Sequence, residues 1–157
     1  MNFKDCRGNV DTRLAKLEKG EFDAIILASA GIKRLGLSEK ITDYFDPSIM
    51  IPSVTQGIIA IETRASDKRI NEIIETLHCK TTELISICER SFLQVHQATC
   101  NTPVACHAVF NGKILMVKGF KANPDGSNAK TFSEGAKVTS KDDAFQLGKL
   151  LAEKFLQ

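Results

Sequence analysis

The sequence predicts a chain of two characters, parallel α/β in its first half and α+β in its second, and three observations lead there. The continuous apolar run Ala24-Ile25-Ile26-Leu27-Ala28 follows a helical pattern and is bounded by turn residues, as in a strand buried on both faces of a parallel sheet. Asn111-Gly112, the strongest short hairpin signal, separates two runs of strand character. Helical patterns precede and follow that hairpin, so the second half can build a three-stranded antiparallel sheet with its helices packed on one face. A length of 157 residues allows one compact domain or pieces of two or three small ones.

Taken in order, residues 3–6 have the pattern of a strand end, Arg7-Gly8 is a turn, and Asn9 can cap a helix over 10–19 that faces Val10, Leu14 and Leu17 inward. Gly20 stops it. The strand at 24–28 comes next, then a helical turn over 31–35 and a helix capped by Ser38 that runs to Tyr44 or Phe45. Prolines 47 and 52 make 46–53 irregular. A strand is expected at 58–63, followed by a helix capped by Ser66 and ending at Leu77, with Ile70, Ile73, Ile74 and Leu77 on one face.

A seam falls near 78–80, where the second half begins. Leu84, Ile87, Cys88, Phe92 and Val95 have helical spacing over 82–96. Strands are expected at 105–110 and 113–122, with a turn at 123–126 and a third strand through Ser133. The last helix, 142–156, buries Ala144, Leu147, Leu151 and Phe155.

Composition excludes several classes of function. The apolar fraction of 43% and charged fraction of 25% are globular values. A net charge of +2, with Lys and Arg interspersed among Asp and Glu, leaves no basic stripe, and nine Phe with one Tyr and no Trp give no basic-aromatic run for stacking bases. Neither nucleic acid nor membrane is an expected partner. The N-terminus carries Asp5 where a secretory signal would be apolar, and the longest apolar runs are too short to cross a bilayer. Five cysteines at 6, 79, 88, 100 and 106 are an odd number without framework spacing, which fits a reducing cytoplasm.

Among them Cys100 stands between a helix and a strand, on a loop whose exit Pro103 stiffens. Such a loop can hold a nucleophile in place. The other reading of the same residue is a small buried apolar side chain, the common fate of a free cysteine. His96, Cys100, Cys106 and His107 fit no common zinc spacing, and Cys106 and His107 would face opposite sides of a strand. No metal is expected.

Four segments in order, Arg7-Gly8-Asn9-Val10-Asp11-Thr12-Arg13-Leu14, Asp23 through Gly36, Pro52-Ser53-Val54-Thr55-Gln56-Gly57, and Cys100-Asn101-Thr102-Pro103-Val104, together resemble the porphobilinogen deaminase (hydroxymethylbilane synthase) family. The resemblance spans nearly the whole chain. It implies an enzyme, a transferase of tetrapyrrole and haem biosynthesis, that joins four porphobilinogen units head to tail with loss of ammonia on a covalent dipyrromethane cofactor. It also implies a partial periplasmic-binding-protein-like fold for the parallel part: 1–57 as the later part of a second domain, 58–77 as a segment returning to the first, and 78–157 as the cofactor-carrying third.

By the same resemblance Cys100 is the attachment residue. Porphobilinogen losing ammonia is an electrophilic methylene-pyrrole, and a thiolate is a soft nucleophile suited to it. Every pyrrole brings an acetate and a propionate, so the cleft needs cations, and guanidinium binds carboxylate bidentately while keeping its proton. The family's positions match Arg7, Arg13 and Arg34. The resemblance makes Arg13 and Arg34 cofactor-binding and Arg7, Asn9, Arg13 and Gln56 substrate-binding, with the exposed N–H groups of the first helix adding to the anion site; for Gln56 the residues of the 55–57 stretch read equally as a hinge or a purely structural turn. Porphobilinogen and the growing oligopyrrole are the expected ligands.

The chain departs from the family pattern at Thr55 and at Ala98-Thr99, where glycines are usual; positive φ at those places would strain threonine. The family's catalytic aspartate belongs to a region upstream of this chain, so no catalytic residue is nominated here. A C-terminal fragment, or the product of a split or eroded gene, is therefore expected, with a separate N-terminal fragment or a second copy as protein partner. The alternative is a non-catalytic ligand-binding or interaction module derived from the family.

Overall fold

The computed structural model describes residues 2–99 and 102–157. It contains two compact units, 1–45 and 46–157.

In the first unit, α1 (Val10–Glu18) buries Leu14, and Lys19 closes it before Gly20 turns the chain at φ +73°. Asn9 takes the N-cap position with extended backbone, but its side chain makes no capping hydrogen bond, so the expected cap is positional only. After it, α2 (Ser29–Arg34) buries Ile32 and leads to a single 3-10 turn at Ser38–Lys40. That turn replaces the helix expected to reach Tyr44 or Phe45. Both aromatic rings are largely exposed, so no apolar burial supports further turns. Lys40 reaches back to Glu18 at 2.8 Å, which ties the turn to the end of α1.

The strands expected at 3–6, 24–28 and 58–63 are not formed. A strand exists through its ladder, and no described neighbour offers these segments one. The apolar runs record a burial that needs partner strands. The segment 58–63 stays outside regular structure, with Ile59 78% exposed.

The second unit begins with an irregular stretch and then α3 (Lys68–Glu75). Its N-cap is Asp67, one residue past the expected Ser66, because the Asp67 carboxylate accepts the N–H of Ile70 at 3.2 Å. The apolar face is present in α3, which ends at Glu75 short of the expected Leu77, but it is largely open: Ile70 and Ile73 are exposed, as is Leu77 beyond the helix, and Ile74 is half-buried.

From residue 80 onward the fold follows the predicted α+β pattern. The helix α4 (Lys80–Val95) is followed by β1 (Val104–Phe110), β2 (Ile114–Lys121), β3 (Lys130–Lys137) and α5 (Lys141–Glu153). The three strands form an antiparallel sheet in sequence order. Phe110 pairs with Leu115 across the Asn111-Gly112 turn, where the Asn111 side chain accepts the N–H groups of Lys113 and Ile114 and Gly112 takes φ +88°.

Both helices pack on one face of this sheet. Leu84, Cys88 and Phe92 of α4 meet Cys106, Ala108, Leu115 and Val117 of the sheet and Ala144, Leu147, Leu151 and Phe155 of the C-terminal segment. The rings of Phe92 and Phe132 both meet Phe155 edge to face. Ser140 and Asp143 form a capping box that starts α5.

Candidate functional site

In the first unit the sequence folds so that guanidinium groups collect at the start of α1. Arg7 precedes the helix, and Arg13 in its second turn folds back so that its Nε–H donates to the Gly8 carbonyl at 2.7 Å. Lys16, one turn further, donates to the Arg7 carbonyl at 3.1 Å. These two bonds tie the 7–8 turn to the helix. They leave the Nη groups of Arg13 outside any hydrogen bond to a described residue.

Arg7 pairs with Asp5 at 3.0 Å with both side chains largely exposed. So exposed a pair contributes little and yields readily to a competing carboxylate. Because Asn9 makes no side-chain cap, the first N–H groups of α1 add a partial positive charge at the same end.

Arg34, at the end of α2, is exposed and makes no described hydrogen bond. Its helix approaches α1 closely: a Cβ on Gly31 would lie 3.8 Å from Val10 Cγ2. No described contact joins Arg34 to Arg7 or Arg13. The structure therefore brings Arg7, Asn9 and Arg13 together at one helix end and sets Arg34 on a neighbouring helix.

The other predicted residues belong to the second unit. Gln56 is exposed, and its Oε1 accepts the Ser53 N–H at 3.3 Å. Cys100 lies outside the described residues. Thr99 donates its N–H to Thr102 Oγ1 at 3.0 Å. Of the threonines that stand where the family has glycine, Thr55 takes positive φ, at +57°, and before Cys100 positive φ is found at Gln97, at +47°.

One functional group escaped the sequence reading. Glu89 of α4 is buried, and its carboxylate accepts the N–H of Thr55 at 2.6 Å and of Ala108 at 2.8 Å, with His107 Nδ1 at 3.8 Å. Burial raises its pKa above the ordinary glutamate value, against the opposing pull of the two N–H groups and His107. The sequence did hold a signal. An acid directly after Cys88 and three residues before Phe92 lies at the margin of the apolar face of α4. Burial also raises the Cys88 thiol to about 12 and lifts that of Cys106, so neither is a nucleophile at neutral pH.

The first unit thus sets Arg7, Asn9 and Arg13 at the start of α1, and the second carries an α+β body of three antiparallel strands with helices on one face. Residues 1–72 match the family model for the dipyromethane cofactor binding domain of porphobilinogen deaminase, and residues 84–157 match the model for the C-terminal domain of the same protein. The chain belongs to the porphobilinogen deaminase family.

It is 41% identical to the porphobilinogen deaminase of Roseiflexus castenholzii over 156 residues, which is 99% of this chain and 50% of that one. Identity to the protein of the same name from Synechococcus sp. strain RCC307 is 40% over 153 residues, 98% of this chain and 47% of the relative. The porphobilinogen deaminase of Macrococcus caseolyticus is 40% identical over 127 residues, 80% and 41% of the two chains. The chain spans about half the length of the curated relatives it matches.

The donor set of the first unit fits the group named in the matched model. A dipyrromethane bearing acetate and propionate arms presents carboxylates, and Arg7, Arg13, Arg34 and the uncapped start of α1 are carboxylate partners in type. Among the described residues no group of three or more His, Cys, Asp or Glu is arranged to hold a metal, and no helix is long and apolar enough to cross a membrane.

Proposed function

We propose that this chain supplies the cofactor-carrying part of a hydroxymethylbilane synthase, which condenses four porphobilinogen units head to tail with loss of ammonia. The observation that carries this reading is the match of both halves, in order, to two domains of one enzyme family. In this reading Cys100 holds the dipyrromethane through a thioether. When bound, that group supplies the pyrrole terminus on which the oligopyrrole grows.

The chain's own residues bind and orient. Arg13 and Arg34 take cofactor carboxylates. Arg7, Asn9, Arg13 and Gln56 take those of porphobilinogen and the growing oligopyrrole. Arginine serves here because a guanidinium stays charged beside several carboxylates and can meet each in a two-point fork. The Arg13 geometry supports the assignment, since its Nε–H is spent on Gly8 and its Nη edge is left for a ligand. The thioether neither accepts nor releases protons during turnover, so Cys100 acts as an anchor.

The domain reading accompanies the function. Residues 1–57 form the later part of a periplasmic-binding-protein-like second domain, 58–77 return to complete the first, and 78–157 form the third. A separate N-terminal chain or a second copy is the protein partner, and the cytoplasm is the compartment, in keeping with four free cysteines among the described residues.

Intact mass spectrometry tests the reading. The chain is produced beside the N-terminal half of the Roseiflexus castenholzii relative, and the reading expects the mass of one dipyrromethane on Cys100. An unmodified Cys100 in a preparation that binds that half would overturn it.

A further inference from the structure

Glu89 is a costly residue for its place. It is 3% exposed, in the middle of α4, where an apolar side chain would pack without desolvating a charge. Each of its oxygens is matched to a backbone N–H from a different part of the fold: Oε1 to Ala108 on the free edge of β1, Oε2 to Thr55. Thr55 belongs to a turn with its own bonds, in which the Gln56 N–H donates to Ser53 O and the Ile58 N–H to Thr55 O, each at 3.1 Å. Val54 of the same turn packs against the core formed by α4, the sheet and α5. A β-branched residue at φ +57° persists only where its surroundings over-determine it.

From this geometry we infer that Glu89 is a positioning residue. It fixes the 53–57 turn to the body formed by α4, the sheet and α5, and so sets where Gln56 and the chain leaving through Ile58 are held. The turn is gripped at two consecutive residues, Val54 by apolar packing and Thr55 by the carboxylate. Gln56 is the next residue, with its Oε1 occupied by Ser53 and its exposed amide NH2 left as a donor. Releasing Thr55 would free the turn to relax out of positive φ, and Gln56 would move with it. The placement of Gln56 toward an oligopyrrole rests on the function proposed above; the grip on the turn does not. The groups that face Glu89 are His107 and Cys106 from β1, and Cys88 from α4 itself.

Amide resonances of the full ¹⁵N-labelled chain, followed through a pH titration, test the inference. The amides of Thr55 and Ala108 are expected to titrate together, with a shared midpoint above that of an ordinary glutamate, and to move upward together in His107→Ala, which removes one of the groups that oppose burial. In Glu89→Gln the shared titration disappears, and the amides of Thr55, Gln56 and Ile58 exchange about tenfold faster, the equivalent of one hydrogen bond, while those of α5 keep their protection. Thr55 and Ala108 moving independently, or unchanged exchange over 55–58 in the variant, overturns the inference. The wild-type titration decides the matter even if the variant does not fold. Absence of an adduct on Cys100 would count against the proposed function and leave this result untouched.

Discussion

The carboxylate of Glu89 joins α4 to Thr55, 34 residues away in sequence, through a 2.6 Å hydrogen bond to a backbone N–H held at φ +57°. Left-handed backbone costs a residue with a Cβ about 1–2 kcal/mol, whereas glycine adopts it freely and gives back about 0.5–1 kcal/mol through its larger unfolded-state entropy. Because Glu89 accepts from the main chain, Thr55→Gly keeps the bond. The variant is expected to be more stable by about 0.5–1 kcal/mol, read as a higher urea midpoint with an unchanged slope. A lower midpoint would show that the threonine side chain contributes something the backbone angle does not reveal.

Glu89 also gives stability a pH dependence of definite sign. Its folded pKa is raised above the ordinary 4.5, so the native state holds its proton to higher pH than the unfolded chain does. Its contribution is fully present below the unfolded value and is lost as pH rises through the folded one. Glu89→Gln removes that component. The stability of wild type relative to the variant is therefore expected to fall as pH rises from 4.5 upward, measured by denaturation at a series of pH values. A difference that grows with pH would mean that the two N–H groups outweigh desolvation.

Most of the second half was legible because its signals are local. Leu84, Cys88 and Phe92 repeat at four residues and are buried as that spacing requires, and Asn111-Gly112 makes its turn within four residues. The first half was misread where the signal depends on partners. The runs at 24–28 and 58–63 have the composition of buried strands, but a ladder cannot be read from one strand, and none forms among the described residues. Capping was legible to within a residue: Asp67 takes the role expected of Ser66, and Asn9 has the position without the bond. Of the candidate site, the grouping of Arg7 with Arg13 follows from helix geometry. The role of Glu89 rests on a contact across 34 residues that no local pattern encodes.

The approach of α4 and α5 is set by Gly148. A Cβ there would lie 2.0 Å from the Cys88 carbonyl oxygen and 2.1 Å from Ser91 Oγ. The first of these is backbone and cannot swing aside. Gly148→Ala improves helix propensity by about 1 kcal/mol, but forcing the helices apart costs about 2–3 kcal/mol, so a net loss of about 1–2 kcal/mol is expected. Chemical denaturation measures it. A neutral or stabilising outcome would mean that the helices can separate without disturbing Phe92 and Leu151.

The four described thiols should separate by reactivity. Cys79 is exposed at the start of α4, where the hydroxyl and N–H of Thr82 lower its pKa, while Cys88 and Cys106 are buried with theirs raised. Alkylation with iodoacetamide at neutral pH, mapped by peptide mass spectrometry, is expected to label Cys79 first and Cys6 more slowly. Cys88 and Cys106 should react only on denaturation. Rapid native labelling of Cys106 would show that the face of the sheet beneath α4 opens on the labelling timescale.

Exposed apolar surface divides the chain into regions of unequal stability. Ile59, Ile61, Ile70, Ile73 and Leu77 are all open to solvent, and Leu77 is 67% exposed, whereas α4, the sheet and α5 share one continuous core. Amides in β1–β3 close ladders and those within α4 and α5 close helical bonds; the amides of 24–28 and 58–63 have no ladder to open. Hydrogen exchange is therefore expected to be fast over 24–28 and 59–63, intermediate in α1 and α3 and at Ile58, whose N–H donates to the Thr55 carbonyl, and slow from α4 to α5. Unpaired extended segments rich in Ile are also the natural place for another chain to add. Supplying the N-terminal half of the Roseiflexus castenholzii relative as a separate polypeptide should slow exchange over 58–63 and over 70–77, and leave the α4–α5 region unchanged. Equal protection in both halves of the isolated monomer would mean that residues 1–77 are stabilised by contacts of their own, and the case for a partner on that surface would fail.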